Sequence, residues 1–381
     1  MATEREALVA LNLVPEMGPI AWRKLLGVFG SAAAVLAATE DDLRDRAGFG
    51  AQRAAALAEA MRGADPTREL SLAAKTGIKI IAKCDPEYPS ILKKIADPPL
   101  VLYCFGDLDA FTVPAAAIVG TRIPTVYGSE TAHRFAYAVA AAGYCVVSGM
   151  ARGIDTSSHK GALDAKGRTI GVLGGAIDCF YPSENRELGR TVAKSRGLIV
   201  SEFPLGRKPD RTTFPMRNRI ISGLSRLTLV VEAAAKSGSL ITAGQAMEQG
   251  RTVMAIPGRI DVPSSLGCNL LIKDGAAMAL SPNDLLDEMD SLGLQTDNAV
   301  LPATTQRAAR ATQPPPQKPF VPLTDEENRI YEAIGSEETL IDEVIRHSGV
   351  DAGRANALLL SLQLKRLAEI LPGGWVKKKR K

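Results

Sequence analysis

Over residues 1–66 apolar positions recur at the three-to-four spacing of one helix face. "EREALVALNLV", "AWRKLLGVFG", "DDLRDR" and "AQRAAALAEAM" each predict a short helix. Two glycine-bearing turns separate them, "EMGP" (Glu16 to Pro19) and "AGFG" (Ala47 to Gly50). From residue 67 to about 290 the rhythm changes. Near-continuous apolar runs, "IKIIAK", "PLVLYCFGD", "AAAIVG", "CVVSG", "TIGVLGG", "GLIVSE", "LTLVVEA" and "TVMAIPG", alternate with helical stretches. Strands that are apolar on both faces and separated by helices predict a parallel sheet covered on both sides. The expected class is therefore α/β, with a doubly wound, Rossmann-like, mostly parallel sheet.

Residues 291–322 contain three consecutive prolines amid Gln, Thr and Ala, and read as a Pro-rich linker. Residues 323–381 form a last unit. Thr324 with Glu327 three residues on is a capping box that opens a helix. Two further helices follow, then a hairpin turning at Pro372-Gly373-Gly374, which is similar to a winged helix. From Pro322 to Lys381 there are ten acids and ten bases, and five of the bases are the last five residues. The folded part is thus net acidic, which argues against simple major-groove binding and for a protein-contact or regulatory role. The N-terminal unit resembles helix-hairpin-helix or sterile-alpha-motif-like modules. Its turns either touch a phosphate backbone or simply connect helices tightly.

Composition narrows the classes of function. The chain has 381 residues, 46% hydrophobic and 23% charged, with net charge +4. That is ordinary for soluble globular protein and permits, without requiring, a polyanionic partner. No apolar run reaches membrane-spanning length and no signal peptide is evident. The five widely spaced cysteines contain no C-x-x-C, which suits a reducing, cytoplasmic setting rather than a disulfide frame or zinc site. Neither a metal nor a cofactor is expected.

Candidate chemistry lies after the strands, because open parallel sheets bind ligands beyond their carboxyl ends. "IVG" runs into Thr121-Arg122, "VVSG" into Met150-Ala151-Arg152-Gly153, and "VLGG" into Ala176-Ile177-Asp178. "VVEA" leads to Lys236-Ser237-Gly238-Ser239. The spacing is neither that of a dinucleotide fingerprint nor that of a phosphate-binding loop with its lysine. Several separate basic and glycine-rich loops along one edge suit a chain of phosphates, hence single-stranded nucleic acid. "RKPDRTTFPMRNRII" adds Arg207, Lys208, Arg211, Arg217 and Arg219 around Phe214. Phe214 either stacks a base or plugs the core, with the arginines then paired to Glu202 and Glu232. Asp155 and His159, one helical turn apart, are expected to be support. Asp155 would cap a helix beginning near Thr156, and His159 would hydrogen-bond it. No catalytic residue is assigned.

Taken together, "YPSILKKIADPPLVLYCFGD", "AIVGTR", "VVSGMARGIDTSSHKGAL", "GRTIGVLGGAIDCFYPSEN", "LIVSEFPLG", "FPMRNRIISGLS", "VVEAAAKSGSLITAGQAMEQGR" and "IPGRIDVPSSLGCNLLIKDGA" resemble the DNA-processing protein DprA (Smf) family. The resemblance covers nearly all of residues 75–280. It implies a single-stranded-DNA-binding protein of natural transformation that protects incoming DNA, loads the recombinase RecA and acts as a dimer. By motif, Thr121, Arg122, Arg152, Arg211, Arg217, Asn218, Arg219, Lys236 and Ser239 would meet DNA. Phe214 would stack a base, and Gly149, Gly153, Gly174 and Gly238 would allow close approach. The alternative is a Rossmann-like nucleotide phosphoribohydrolase of the LOG type. Its P-G-G-x-G-T motif has "EAAAKSGSLITA" at the comparable place here.

Overall fold

The computed structural model describes residues 2–15, 17–292, 323–335, 339–365, 367–371 and 374–378. Most of the expected linker lies outside these residues, as do Glu16, Pro372, Gly373 and the last three residues. The chain divides into two compact units, 1–304 and 305–381.

The first unit opens with six helices: α1 (Glu4–Leu13), α2 (Pro19–Phe29), α3 (Ala32–Leu36), α4 (Glu40–Asp45), α5 (Ala51–Gly63) and α6 (Pro66–Lys75). Capping boxes at Thr3 and Thr39 start α1 and α4, and left-handed Gly30 ends α2. The run continues through α6, past residue 66. Then come β1 (Lys79–Ala82), α7 (Ser90–Lys93), β2 (Val101–Gly106), β3 (Ala115–Val119), α8 (Val126–Ala141), β4 (Cys145–Ser148) and α9 (Ile154–Asp164). They are followed by β5 (Arg168–Val172), α10 (Arg186–Lys194), β6 (Leu198–Ser201), α11 (Thr213–Gly223), β7 (Leu227–Val230) and α12 (Gly238–Glu248). β8 (Thr252–Ala255), α13 (Leu266–Lys273), β9 (Ala277–Met278) and α14 (Pro282–Ser291) complete the unit.

The strands form one sheet in the order β1-β2-β6-β5-β4-β3-β7-β8-β9. From β6 to β9 every pairing is parallel, while β1 and β2 join antiparallel. The chain moves outward from β3 through β4, β5 and β6, then returns to β3's other side with β7. The topological switch point therefore lies between β3 and β7, where a crevice opens beyond the strand ends.

Period-two burial explains the layers. Ala116 and Ile118 of β3 face α8 and α14 through Phe135, Val139, Leu285 and Met289. Ala115, Ala117 and Val119 face α11, α12 and α13 through Ile220, Ile221, Ala243 and Cys268. The same alternation joins the N-terminal helices to the sheet. Ile80, Ala82, Val101 and Tyr103 pack with Leu8, Leu11, Trp22 and Leu25, while Ile81, Leu102 and Cys104 face the main core. Each buried Leu or Ile contributes about 1.5–3 kcal/mol, so the helical module is held by a continuous apolar core.

The second unit has α15 (Asp325–Ala333), β10 (Thr339–Leu340), α16 (Ile341–Ser348), α17 (Ala352–Leu364), β11 (Ala368–Leu371) and β12 (Trp375–Lys378). Its antiparallel sheet runs β10-β12-β11, which makes it a winged helix. The Thr324–Glu327 capping box is formed. Glu327 also accepts from Ser361 Oγ at 2.6 Å and from Lys365 Nζ at 2.7 Å, tying α15 to α17. These bonds hold its carboxyl down, to about 2.

Candidate nucleic-acid interface

A groove of about 500 Å³ occupies the switch point. The loop after β3 supplies Thr121, Arg122 and Ile123, and the start of α12 supplies Ser237, Gly238 and Ser239. Arg211, Phe214 and Asn218 come from α11 and its approach, and Arg217 and Asp155 reach it from below.

The β3 loop is fixed from the neighbouring strand. Thr121 N–H donates to the Glu232 carbonyl at 2.7 Å. The Glu232 carboxylate accepts from Thr125 N–H at 3.0 Å and from the Thr125 hydroxyl. Thr125 in turn caps α8, its Oγ accepting from Gly128 N–H at 3.0 Å. A side chain at 128 would strike the Glu232 carboxylate, so glycine is needed there. Anchored in this way, the loop carries Arg122 outward, exposed, with its guanidinium 5.3 Å from the centre of the Phe214 ring. That is cation–π distance. Across the groove Lys236 and Gly238 are exposed and Ser237 caps α12. Asn218 Nδ2 donates to the Gly238 carbonyl at 3.3 Å, linking α11 to that cap. Arg211 is exposed at the start of α11.

The turn after β4 is built differently. Arg217 is 4% exposed and donates to the carbonyls of Gly149 and Val172. Burial holds its guanidinium down, to about 10, against the pull of Asp155. Asp155, also buried, accepts from Gly149 N–H at 3.1 Å and Ala151 N–H at 3.3 Å. Burial raises its carboxyl above the usual range, with Arg217 and those N–H groups acting in the other direction. Asn185 Nδ2 donates to the Met150 and Ala151 carbonyls, at 2.9 and 3.0 Å, and to Thr156 Oγ. The polar backbone of this turn is thus largely satisfied by the protein itself.

Several expectations are corrected by this geometry. The β4 turn is no open phosphate cradle, because the Gly149 and Ala151 N–H groups already face Asp155. A Cβ on Gly149 would sit 2.5 Å from Arg217 Nη1, so this glycine makes room for a guanidinium. Gly174 makes room for the Phe214 ring, since a Cβ there would lie 2.6 Å from Cδ1. Gly153, at φ +78°, lets α9 start hard against the Thr121 carbonyl. Only Gly238 among these four faces open space. Arg219 leaves the predicted edge altogether. It is 3% exposed and pairs with Glu202 and, at 3.3 Å, with Asp97.

Asp155 is not the cap of α9. It stands in the first turn, after Gly153 in the capping position. His159 does not bond it. Its Nδ1 meets Thr169 Oγ at 2.8 Å, and that hydroxyl donates onward to the Val146 carbonyl. Nδ1 is therefore the protonated nitrogen of a neutral ring. Burial, with Arg217 nearby, lowers the His159 pKa to about 3. Arg152 is exposed and paired with exposed Glu184. Glu232, expected as an arginine partner, anchors the β3 loop instead.

Sequence reasoning missed Tyr181, in the loop after β5. Its ring centre lies 5.8 Å from that of Phe214, at 47°. The signal was present, since an aromatic in a polar loop is unusual in a chain with only 5% aromatics. Among the described residues no group of three or more His, Cys, Asp or Glu could hold a metal ion. No helix among them is long and apolar enough to cross a membrane.

By its sheet and its groove the chain is a Rossmann-like α/β protein whose switch point carries outward cations and an aromatic. The DNA recombination-mediator protein A family model matches residues 79–290, and the DprA winged helix domain model matches 311–374. Protein Smf of Synechocystis is 35% identical over 98% of both chains. DNA processing protein DprA of Bacillus subtilis is 43% identical over 60% of this chain and 77% of its own. The X-ray structure of DprA from Streptococcus pneumoniae superposes with a TM-score of 0.65 at 34% identity, covering 75% of this chain and 98% of that one. A structure of DNA processing protein A from Helicobacter pylori, described for its single-stranded DNA binding mode, gives 0.51 at 28% identity over 56% of this chain and 96% of that one. The chain belongs to the DprA (Smf) family.

Proposed function

We propose that this chain binds single-stranded DNA in the groove between the β3 and β7 loops, in the service of natural transformation. Arg122, Arg211 and Lys236 take backbone phosphates, with the Ser237–Ser239 turn and Asn218 beside them. One observation carries this reading. Two exposed arginines, Arg122 and Arg211, line the groove with an aromatic at the switch point, exposed Lys236 precedes the α12 cap, and Asp155, the one carboxylate among the described residues that line the groove, is buried and engaged. Phosphate neutralisation with base stacking is how single strands are held without sequence readout. The single-stranded DNA binding of the H. pylori relative supports the same choice.

Family membership supports a wider role as part of this proposal: protection of incoming strands, loading of RecA, and action as a cytoplasmic homodimer. The net acidic winged helix is the candidate protein contact. Binding is favoured over hydrolysis because Asp155 and Glu232 are both committed to holding loops, which leaves no free carboxylate among the described residues that line the groove.

Fluorescence anisotropy with a labelled oligo(dT) and with a duplex of equal length tests the binding step. Preference for the single strand, lost on replacing Arg122, Arg211 and Lys236 together by Ala, is expected. Equal affinity for both, or full affinity in the triple variant, would overturn the reading. A chain lacking residues 323–381 that binds DNA yet no longer loads RecA would place the recombinase contact in the winged helix, and full loading would exclude it.

A further inference from the structure

Phe214 lines the groove and Tyr181 packs beside it, and the two rings are unequal. Phe214 has one face under the Arg122 guanidinium, and the Gly174 turn packs against its ring. The Tyr181 ring lies tilted by 47° to it, and Phe214 is half-buried. Tyr181 itself is 48% exposed. An exposed aromatic ordinarily sits on a mobile loop, where ordering it on binding costs entropy. Here the loop is pinned. Pro182 is buried, and Asn185 N–H closes a turn onto the Pro182 carbonyl at 3.1 Å. The buried Asn185 side chain then reaches three acceptors on the β4 turn and α9. The Tyr181 ring is thereby presented to solvent on a fixed base, backed by Phe214.

We infer that Tyr181 is a base-stacking subsite for the bound single strand, with Phe214 as its backing wall. The subsite takes any nucleobase, because every base offers a π-face, and it makes no phosphate contact. The Arg152–Glu184 pair, which joins the β4 turn to this anchored loop, is solvent-exposed and hence weak, so it leaves the neighbouring surface able to accept the strand. This inference rests on the single-strand reading above.

The test uses the full-length protein with oligo(dT) and with an abasic strand of the same length. Tyr181→Leu is expected to weaken oligo(dT) binding about 5- to 100-fold, as loss of one stacked base would. The slope of affinity against salt should stay as in the wild type, because no phosphate contact is lost. Tyr181→Phe should restore affinity. Tyr181→Trp should bind and show fluorescence quenched by oligo(dT), beyond any change from Trp22 and Trp375 in the wild type. On the abasic strand Tyr181→Leu and wild type should bind alike. Oligo(dT) affinity within twofold of wild type in Tyr181→Leu would overturn the inference. So would a loss that persists on the abasic strand, or a salt slope lower by about 0.7. Failure of the wild type to bind oligo(dT) at all would instead refute the parent reading.

Discussion

The loops after β3 and β4 are neighbours on one sheet edge, rich in glycine and followed by arginine, yet they do opposite things. The β3 loop is braced from behind by Glu232 and sends Arg122 into solvent. The β4 turn consumes its own polar groups, with its N–H groups on Asp155 and its carbonyls on Arg217 and Asn185. A motif rich in glycine and basic residues therefore indicates close packing around charge. Whether that charge is a ligand's or the protein's own depends on which groups remain unpaired.

If the β4 turn is a structural floor, its variants should act on folding. Arg217→Ala leaves the Gly149 and Val172 carbonyls without that donor and removes the cation that pulls on Asp155, and should cost about 1–3 kcal/mol of stability in urea unfolding. A stable Arg217→Ala that merely binds DNA less well would erase the distinction between floor and rim. Gly149→Ala pushes a methyl group against the guanidinium and should cost about 1–3 kcal/mol, with the salt slope of binding unaltered.

His159 sharpens the same contrast through pH. Its folded-state pKa, about 3, lies below the ordinary 6.5. Between those values the unfolded chain binds the extra proton, so stability falls as pH drops from 6.5 toward 3. One such group contributes up to about 1.4 kcal/mol per pH unit. His159→Gln should remove that component from the pH dependence of the urea midpoint. An unchanged profile would show that the ring is not buried neutral.

The layers of the fold were legible in the chain. Apolar strands of β-branched residues can only be covered on both faces, and the Thr324 box marks the start of α15. The edge where the strand-end loops gather was legible too, because strand ends follow from strand order. What was not legible was side-chain direction. Arg217 and Arg219 are two apart on α11, so they point to different sides. One lies under the switch point and the other goes to Glu202 and Asp97, a distinction that spacing shows only once the helix is docked. The bond from His159 to Thr169 spans ten residues and the brace from Glu232 to Thr125 spans 107, and no spacing motif encodes either. Tyr181 was visible as an odd aromatic, but its place beside Phe214 depends on the β5 loop returning across the groove.

The smallest change in stability should accompany the clearest change in binding. Arg122→Ala/Arg211→Ala removes two exposed side chains, so stability should shift by only about 0.5 kcal/mol per site. The decisive measurement is the oligo(dT) affinity of this double variant across a salt series. Two lost phosphate contacts predict a slope of log affinity against log salt shallower by about 1.4, with folding intact. A slope equal to that of the wild type would contradict the assignment of DNA to the switch-point groove.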